Sequence, residues 1–267
     1  MPSTYAHYRF GQDVLKALPG KYRDVILKEE DLFNIGLHGP DLLFYYKPFS
    51  HDPLHAEGGR MHRLSGREYF TEAGKTFLAR GSRKADFAYL CGFLCHYALD
   101  LACHGYINAL DAEGRVSHAE IESEFDRILL EEDNIDPIRT NLASHIHATR
   151  RAAEVISPYF PGVSQKEVLS GIRSLRKFNI LLTIPGRVGY RQVDRMLQRL
   201  SSYEFIHGHM INLDPNPLCE QSNRDLRKRY EDAVRDACLL IRSFLPAVRG
   251  QKQWPLLMDH NFESEQA

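Results

Sequence analysis

The chain has 267 residues, 43% hydrophobic and 26% charged, with a formal net charge of −1. That length allows one large core or two small ones. The near-neutral balance supplies no global field that would draw nucleic acid or an anionic membrane surface.

The opening stretch, MPSTYAHYRFGQDV, has neither the basic start nor the apolar segment of a secretory signal. No stretch approaches the roughly 20 apolar residues of a membrane span, so the expected compartment is the cytoplasm. Apolar periodicity predicts helices over 5–18 and 22–34. The stretch 36–61, GLHGPDLLFYYKPFSHDPLHAEGGRM, is rich in Gly, Pro, Asp and His and reads as a long loop with short helical pieces. Loops of that length are usually functional or disordered, and the Leu-Leu-Phe-Tyr-Tyr run argues against disorder. Further helices are predicted over 67–80, 83–106, 117–132, 136–157, 165–179, 188–207 and 224–247, with a second loop at 211–220. The fold class is therefore all-α: a single multi-helix domain over 1–260, with 261–267 as a flexible tail. The cysteines, Cys91, Cys95, Cys103, Cys219 and Cys238, lack a paired C-x-x-C spacing, and no disulfide framework is expected. Cys91, Cys95 and Cys103 read as small packing residues of a buried helix.

Histidine is the outlier, with 13 residues. In GFLCHYALDLACH, three ionisable groups sit on an element that otherwise reads as core: His96, Asp100 and His104. On a helix they drift by only about 40° per step and form one stripe, with the two imidazoles about 12 Å apart along the axis. One ion is hard to reach from both ends. Two neighbouring ions, with Asp100 between them, fit the spacing better. A buried His–Asp hydrogen bond beside an unrelated histidine is the other reading of this helix.

In VSHAEIESEFDRILLEE, Ser117 is an N-cap and Glu120 completes the pattern of a capping box. His118 and Glu122 lie one turn apart on one face, an imidazole–carboxylate pair suited to zinc or manganese or else a surface contact. Asp126 continues that stripe as a weaker candidate for a supporting role. Upstream, Asp41 lies in a Gly-Pro turn (LHGPD), His62 follows two glycines (GGRMH), and His7 opens the first helical pattern (YAHYRFG).

In that order, ligand types and spacing together, the motifs AHYRFG, GLHGPDLLFYY, GGRMH, GFLCHYALDLACH and SHAEIESEFDR resemble the zinc-dependent phospholipase C family over residues 5–132. The resemblance implies an all-helical catalytic domain, two or three Zn2+ ions, and metal-assisted hydrolysis of a phosphoester. One ion would be held by Asp41, His62, His96 and Asp100, and a second by His104, His118 and Glu122. A third would be held by His7, by Asp100 as a shared bridge, and by the N-terminal amine. Secreted relatives complete that third site with a mature N-terminal Trp, whereas this sequence begins Met1-Pro2. Asp41 would be both ligand and base or orienter for the attacking water. His55 competes for the place given to His62, and the GGRMH context favours His62. Phe44, Tyr45 and Tyr46 would wall the pocket or belong to the core. Residues 135–267 read as further helices rather than a β-sandwich lipid-binding module.

The implied substrate is a phospholipid or a small soluble phosphoester. The scaffold is shared with single-strand-specific zinc nucleases, but no basic patch or stacking array points to nucleic acid here. Two other readings use some of the same residues. An HD-type metal phosphohydrolase would use His51, Asp52, His38 and Asp100 and leave His118 and Glu122 idle. A non-enzymatic metal-binding protein would keep the ligands without turnover.

Overall fold

A computed structural model describes residues 4–48, 50, 52–183, 187–199 and 210–266. The described residues form an all-α fold with no β-strand among them, and their only β contacts are isolated bridges, Ser65 to Asn261 and His260 to Gln266. Its axis is a helix of 29 residues, α6 (Lys84–Ala112), longer at its C-terminal end than the apolar pattern predicts. From Asp86 to Asp100 every residue of α6 is buried. A helix apolar on all sides must be wrapped on all sides, and that is its situation. Around it pack α1 (Thr4–Ala17), α2 (Gly20–Ile26), α3 (Glu30–Gly36), α5 (Gly66–Ala79), α7 (His118–Glu132), α8 (Arg150–Ile156) and the long α11 (Glu220–Val248). The remaining helices are α4 (Pro53–Arg63), α9 (Gln165–Leu182) and α10 (Arg187–Leu197). No helix among the described residues is long and apolar enough to cross a membrane.

The closest approach is between α3 and α6. A Cβ on Gly92 would lie 2.1 Å from the Phe33 carbonyl oxygen, and one on Gly36 would lie 2.2 Å from that of Tyr89. Two glycines facing each other let the backbones touch. That contact fixes the short turn that follows α3.

Several sequence expectations need correction. The stretch 36–61 contains a short 3₁₀ turn (Gly39–Leu43) and then a full helix, α4. Asp52 caps α4 by accepting from the Leu54 amide, and Pro53 takes its first position, where the missing N–H costs nothing. The predicted helix over 136–157 is helical only from Arg150. Upstream of it, the Asp136 carboxylate accepts from the amides of Ile138 and Arg139, and the Asn141 side chain accepts from Ala143. Such local bonds compete with helix formation. The predicted helix over 188–207 is seen as α10, and its last residues lie outside the described ones. The capping box of α7 is half formed. Ser117 accepts from the Glu120 amide, but the Glu120 carboxylate is taken by Asn212 and Asn216.

Residues 261–266 are not a free tail. Phe262 is fully buried, and the Ser264 hydroxyl donates to the Leu101 carbonyl and accepts from the Gly105 amide. This C-terminal segment lies along α6 at the level of Asp100 and His104. All five cysteines are free, and burial raises the thiol pKa of Cys91, Cys95 and Cys103.

Candidate metal centre

Five elements carry the side chains that the sequence singles out. The stripe on α6 supplies His96, Asp100 and His104; α1 supplies His7; the 3₁₀ turn supplies Asp41; α4 supplies His62; α7 supplies His118 and Glu122. All eight come together in one cluster, buried except at His118. Its ligand atoms form three groups, each within 4.8 Å: His7, His96 and Asp100; Asp41, His62 and His96; His104, His118 and Glu122.

Asp100 stands between the groups. Its Oδ1 lies 3.3 Å from His7 Nε2 and 3.6 Å from His104 Nε2; its Oδ2 lies 3.0 Å from His96 Nε2 and 3.9 Å from His62 Nε2. Asp41 Oδ1 is 3.1 Å from His62 Nε2. Glu122 Oε1 is 3.3 Å from His118 Nε2 and 3.4 Å from His104 Nε2. At zinc–nitrogen distances of about 2.0–2.1 Å, two ligands of one tetrahedral ion are about 3.4 Å apart. The short separations fall around that edge length.

The backs of the imidazoles decide which nitrogen faces inward. His62 Nδ1 meets the Gly58 carbonyl at 2.8 Å, His96 Nδ1 meets that of Leu37 at 3.2 Å, and His118 Nδ1 meets Asn108 Oδ1 at 2.9 Å. Each Nδ1 donates, so each Nε2 is turned toward a carboxylate oxygen. A deprotonated Nε2 there sets lone pair against lone pair, which a proton or a metal cation between them relieves. Three of the inward atoms, Asp41 Oδ1, His96 Nε2 and Asp100 Oδ2, are buried and form no well-directed hydrogen bond despite these distances. Unsatisfied buried polar atoms are costly, and three together mark a place for a cation. The donor set of imidazole and carboxylate suits zinc or manganese. The residues therefore fit the ions that the sequence resemblance implies.

Charge within the cluster points the same way. Burial raises the pKa values of Asp41, Asp100 and Glu122, but nearby positive charge, the surrounding imidazoles included, overrides it and holds all three carboxyls well below their usual range. His104 moves the other way: burial lowers its pKa, but the carboxylates of Asp100 and Glu122 push it up to about 9. His62 is raised against burial by Asp41 and Asp100. Three carboxylates here stay ionised and draw positive charge.

Local sequence explains the convergence. Gly39, at φ +42°, turns the chain after α3, and a Cβ there would lie 2.3 Å from His96 Cδ2. Only a glycine lets the turn that carries Asp41 lie against that imidazole. Asp126 accepts from the Tyr5 and Ala6 amides, at 3.0 and 2.7 Å, in the first turn of α1. A carboxylate at a helix N-terminus is favoured there, and this one anchors the helix that carries His7. Burial pushes Asp126 up to about 7 even so.

Other expected residues lie apart. His55 bonds the Tyr46 carbonyl, and the cluster holds His62 in its place. Asp52 caps α4 and pairs with Lys47, and His38 pairs with His145. The HD-type set therefore does not assemble from the described residues, and its His51 lies outside them. The N-terminal amine expected at the third site also lies outside them. Of the aromatics after Asp41, only Phe44 packs on a cluster residue, with its ring 5.6 Å from His62. Tyr45 is buried against Phe178, and Tyr46 is half-buried.

Three supporting residues go unseen in the sequence. Asn108 continues the α6 stripe one turn beyond His104, so the 4+4 spacing extended once more would have found it. Phe262 and Glu263 come from the C-terminal segment. The Phe262 ring lies 5.4 Å from that of His62 and 6.0 Å from that of His96, and Glu263 Oε2 lies 3.7 Å from His104 Nδ1. Nothing local signals either one.

Among protein-family models, the one described as zinc dependent phospholipase C matches residues 6–161. No curated protein and no solved structure matches the chain.

Proposed function

Because the chain belongs to the zinc-dependent phospholipase C family, matched over more than half its length, we propose that it hydrolyses a phosphoester at a multinuclear zinc centre formed by these eight residues. The observation that carries the reading is the position of Asp100, with one oxygen toward His7 and His104 and the other toward His96 and His62. In this reading Asp41, His62, His96 and Asp100 hold one ion, and His104, His118 and Glu122 hold a second. His7 and Asp100 contribute to a third.

Zinc, when bound, supplies Lewis acidity: it neutralises phosphate charge and makes a water acidic near neutral pH. The chain's own residues do the rest. His118, whose side chain is 28% exposed while the other seven are nearly enclosed, marks the open side by which a phosphoester enters. The Asp41 carboxylate, held ionised, accepts a hydrogen bond from the attacking water and orients it toward phosphorus. A carboxyl held so far below neutrality orients a proton better than it removes one. Phe44 and Phe262 shield the His62 imidazole from bulk water. The substrate class is a phospholipid or small soluble phosphoester.

Metal analysis of the purified protein tests this reading. Two or three zinc ions per chain are expected, with p-nitrophenyl phosphoester hydrolysis lost on chelation and restored by zinc. Asp100→Asn should reduce the zinc content by more than one ion, and Glu122→Gln by one. Equal loss from both variants removes the bridge from the reading. Absence of zinc that cannot be reconstituted removes the reading itself.

A further inference from the structure

A cavity lies away from the metal cluster. It offers about 320 Å³ in an open recess between α2, the N-terminal end of α6 and the C-terminal ends of α5 and α11. Ligand pockets begin at about this size. Phe87, on its wall, precedes His96 by nine residues, about 14 Å along the axis of α6.

The lining divides into two chemistries. The floor is apolar: Val25, Phe77, Phe87 and Leu245. The rim carries three cations, Lys21, Lys84 and Arg249, and no carboxylate lines it. Lys21 lies over the Tyr22 ring, 5.0 Å from its centre, and none of the three has an ion pair among the described residues. The contrast with adjacent positions is sharp. Arg80 and Arg83, in the same connection, are both bound to the buried Asp86. Three exposed cations without ion pairs rim one apolar pit, and like charges placed there repel one another. An anion relieves that repulsion.

We propose that this cavity binds a single-chain alkyl phosphate, with the chain on the apolar floor and the phosphate on the cationic rim. A volume of about 320 Å³ stands at the low end of small-ligand pockets, which suits one alkyl chain rather than a pair. The rim selects the head group. A phosphate monoester carries about −1.5 to −2 charge and three acceptor oxygens at neutral pH, enough to engage three cations. A carboxylate, with one charge, leaves most of the repulsion in place. The Ser82 hydroxyl, from a residue held at φ +53° at the cavity wall, adds a neutral donor. This site stands independently of the metal centre and of any reading of it.

Calorimetric titration of the full chain, as purified, with decyl phosphate tests the proposal. One decyl phosphate per chain should bind at this cavity, in addition to any bound at the metal centre. Decanoate should bind more weakly, and decyltrimethylammonium not at all. The double variant Lys84→Glu/Arg249→Glu, which alters only exposed side chains, should weaken decyl phosphate by roughly tenfold or more, a change of about 1.4 kcal/mol per tenfold. Val25→Trp, which fills the floor and keeps every charge, should weaken it comparably. Decyl phosphate held only at the metal centre would be untouched by both variants, and that result overturns the proposal. So does decanoate binding as tightly as decyl phosphate, or no binding at all.

Discussion

His38 and His145 are buried side by side outside the metal cluster, their Nε2 atoms 2.9 Å apart and their rings stacked. Burial pushes His145 down to about 3, helped by His147, and holds His38 well below its ordinary value. Both imidazoles are therefore neutral in the folded chain, while in the unfolded chain each takes up a proton near pH 6.5. As pH falls from about 6.5 toward 3, the unfolded state binds more protons than the native state. The stability supplied by neutral burial is lost in that window, by up to about 1.4 kcal/mol per pH unit for each histidine. His145→Gln keeps a neutral partner for His38 and removes one of these protons. Its urea midpoint should fall less between pH 6.5 and 4.5 than that of the unaltered chain, and an equal fall would refute the assignment. At this scale the sequence was informative wherever ligands repeat along a helix. His96, Asp100 and His104 are legible because a 4+4 spacing has only one geometry on a helix. His145 is not, because it sits in irregular chain whose partner is 107 residues away.

Among the elements, the crossing of α3 on α6 sets the position of everything that follows. Gly36 and Gly92 make the contact, and the turn carrying Asp41 begins three residues after Gly36. Gly92→Ala would place a Cβ 2.1 Å from the Phe33 carbonyl oxygen, an overlap only movement of one helix can relieve. Overpacking of this kind costs about 1–3 kcal/mol. The displacement should reach Asp41 before it reaches Glu122. Gly92→Ala is therefore expected to release zinc from the Asp41 group at lower chelator concentration than from the His104 group. Uniform release would mean that the crossing does not position the turn. The boundaries of α7 were legible from Ser117, whose capping bond forms. The helix α4 was not: Gly58 and Gly59 read as breakers, whereas the informative residues are Asp52 and Pro53, its cap and first position. The segment 136–149 misleads in the opposite sense, because apolar periodicity is present but Asp136 and Asn141 capture the local amides first.

Across the whole molecule, the C-terminal segment closes the structure over the cluster. It lies some hundred residues beyond the stretch that matches the family, yet Phe262 packs on two of its imidazoles and Glu263 approaches a third. Truncating a fully buried phenylalanine costs about 3–5 kcal/mol. Phe262→Ala should lower the unfolding free energy by about that amount and should also speed zinc loss to a chelator under native conditions. Phe244→Ala, equally buried on α11 but packed on Phe77 and Phe87, should lower stability without selectively speeding zinc loss. Identical zinc kinetics in the two variants would reduce Phe262 to a core residue like any other. The all-α class followed from periodicity alone. The closure did not, since its contacts span about 160 positions and leave no pattern in either partner.

That closure also bears on when the proposed metal centre would form during synthesis. Glu122, the last of the eight proposed donors, precedes Phe262 by 140 residues. At about 5–20 residues per second, a nascent chain carries the complete donor set for many seconds before its cover exists. On the proposed reading, a chain that takes up metal in that interval would bind by intrinsic affinity, an order in which copper outranks zinc, and Phe262 would then close over whichever ion was present.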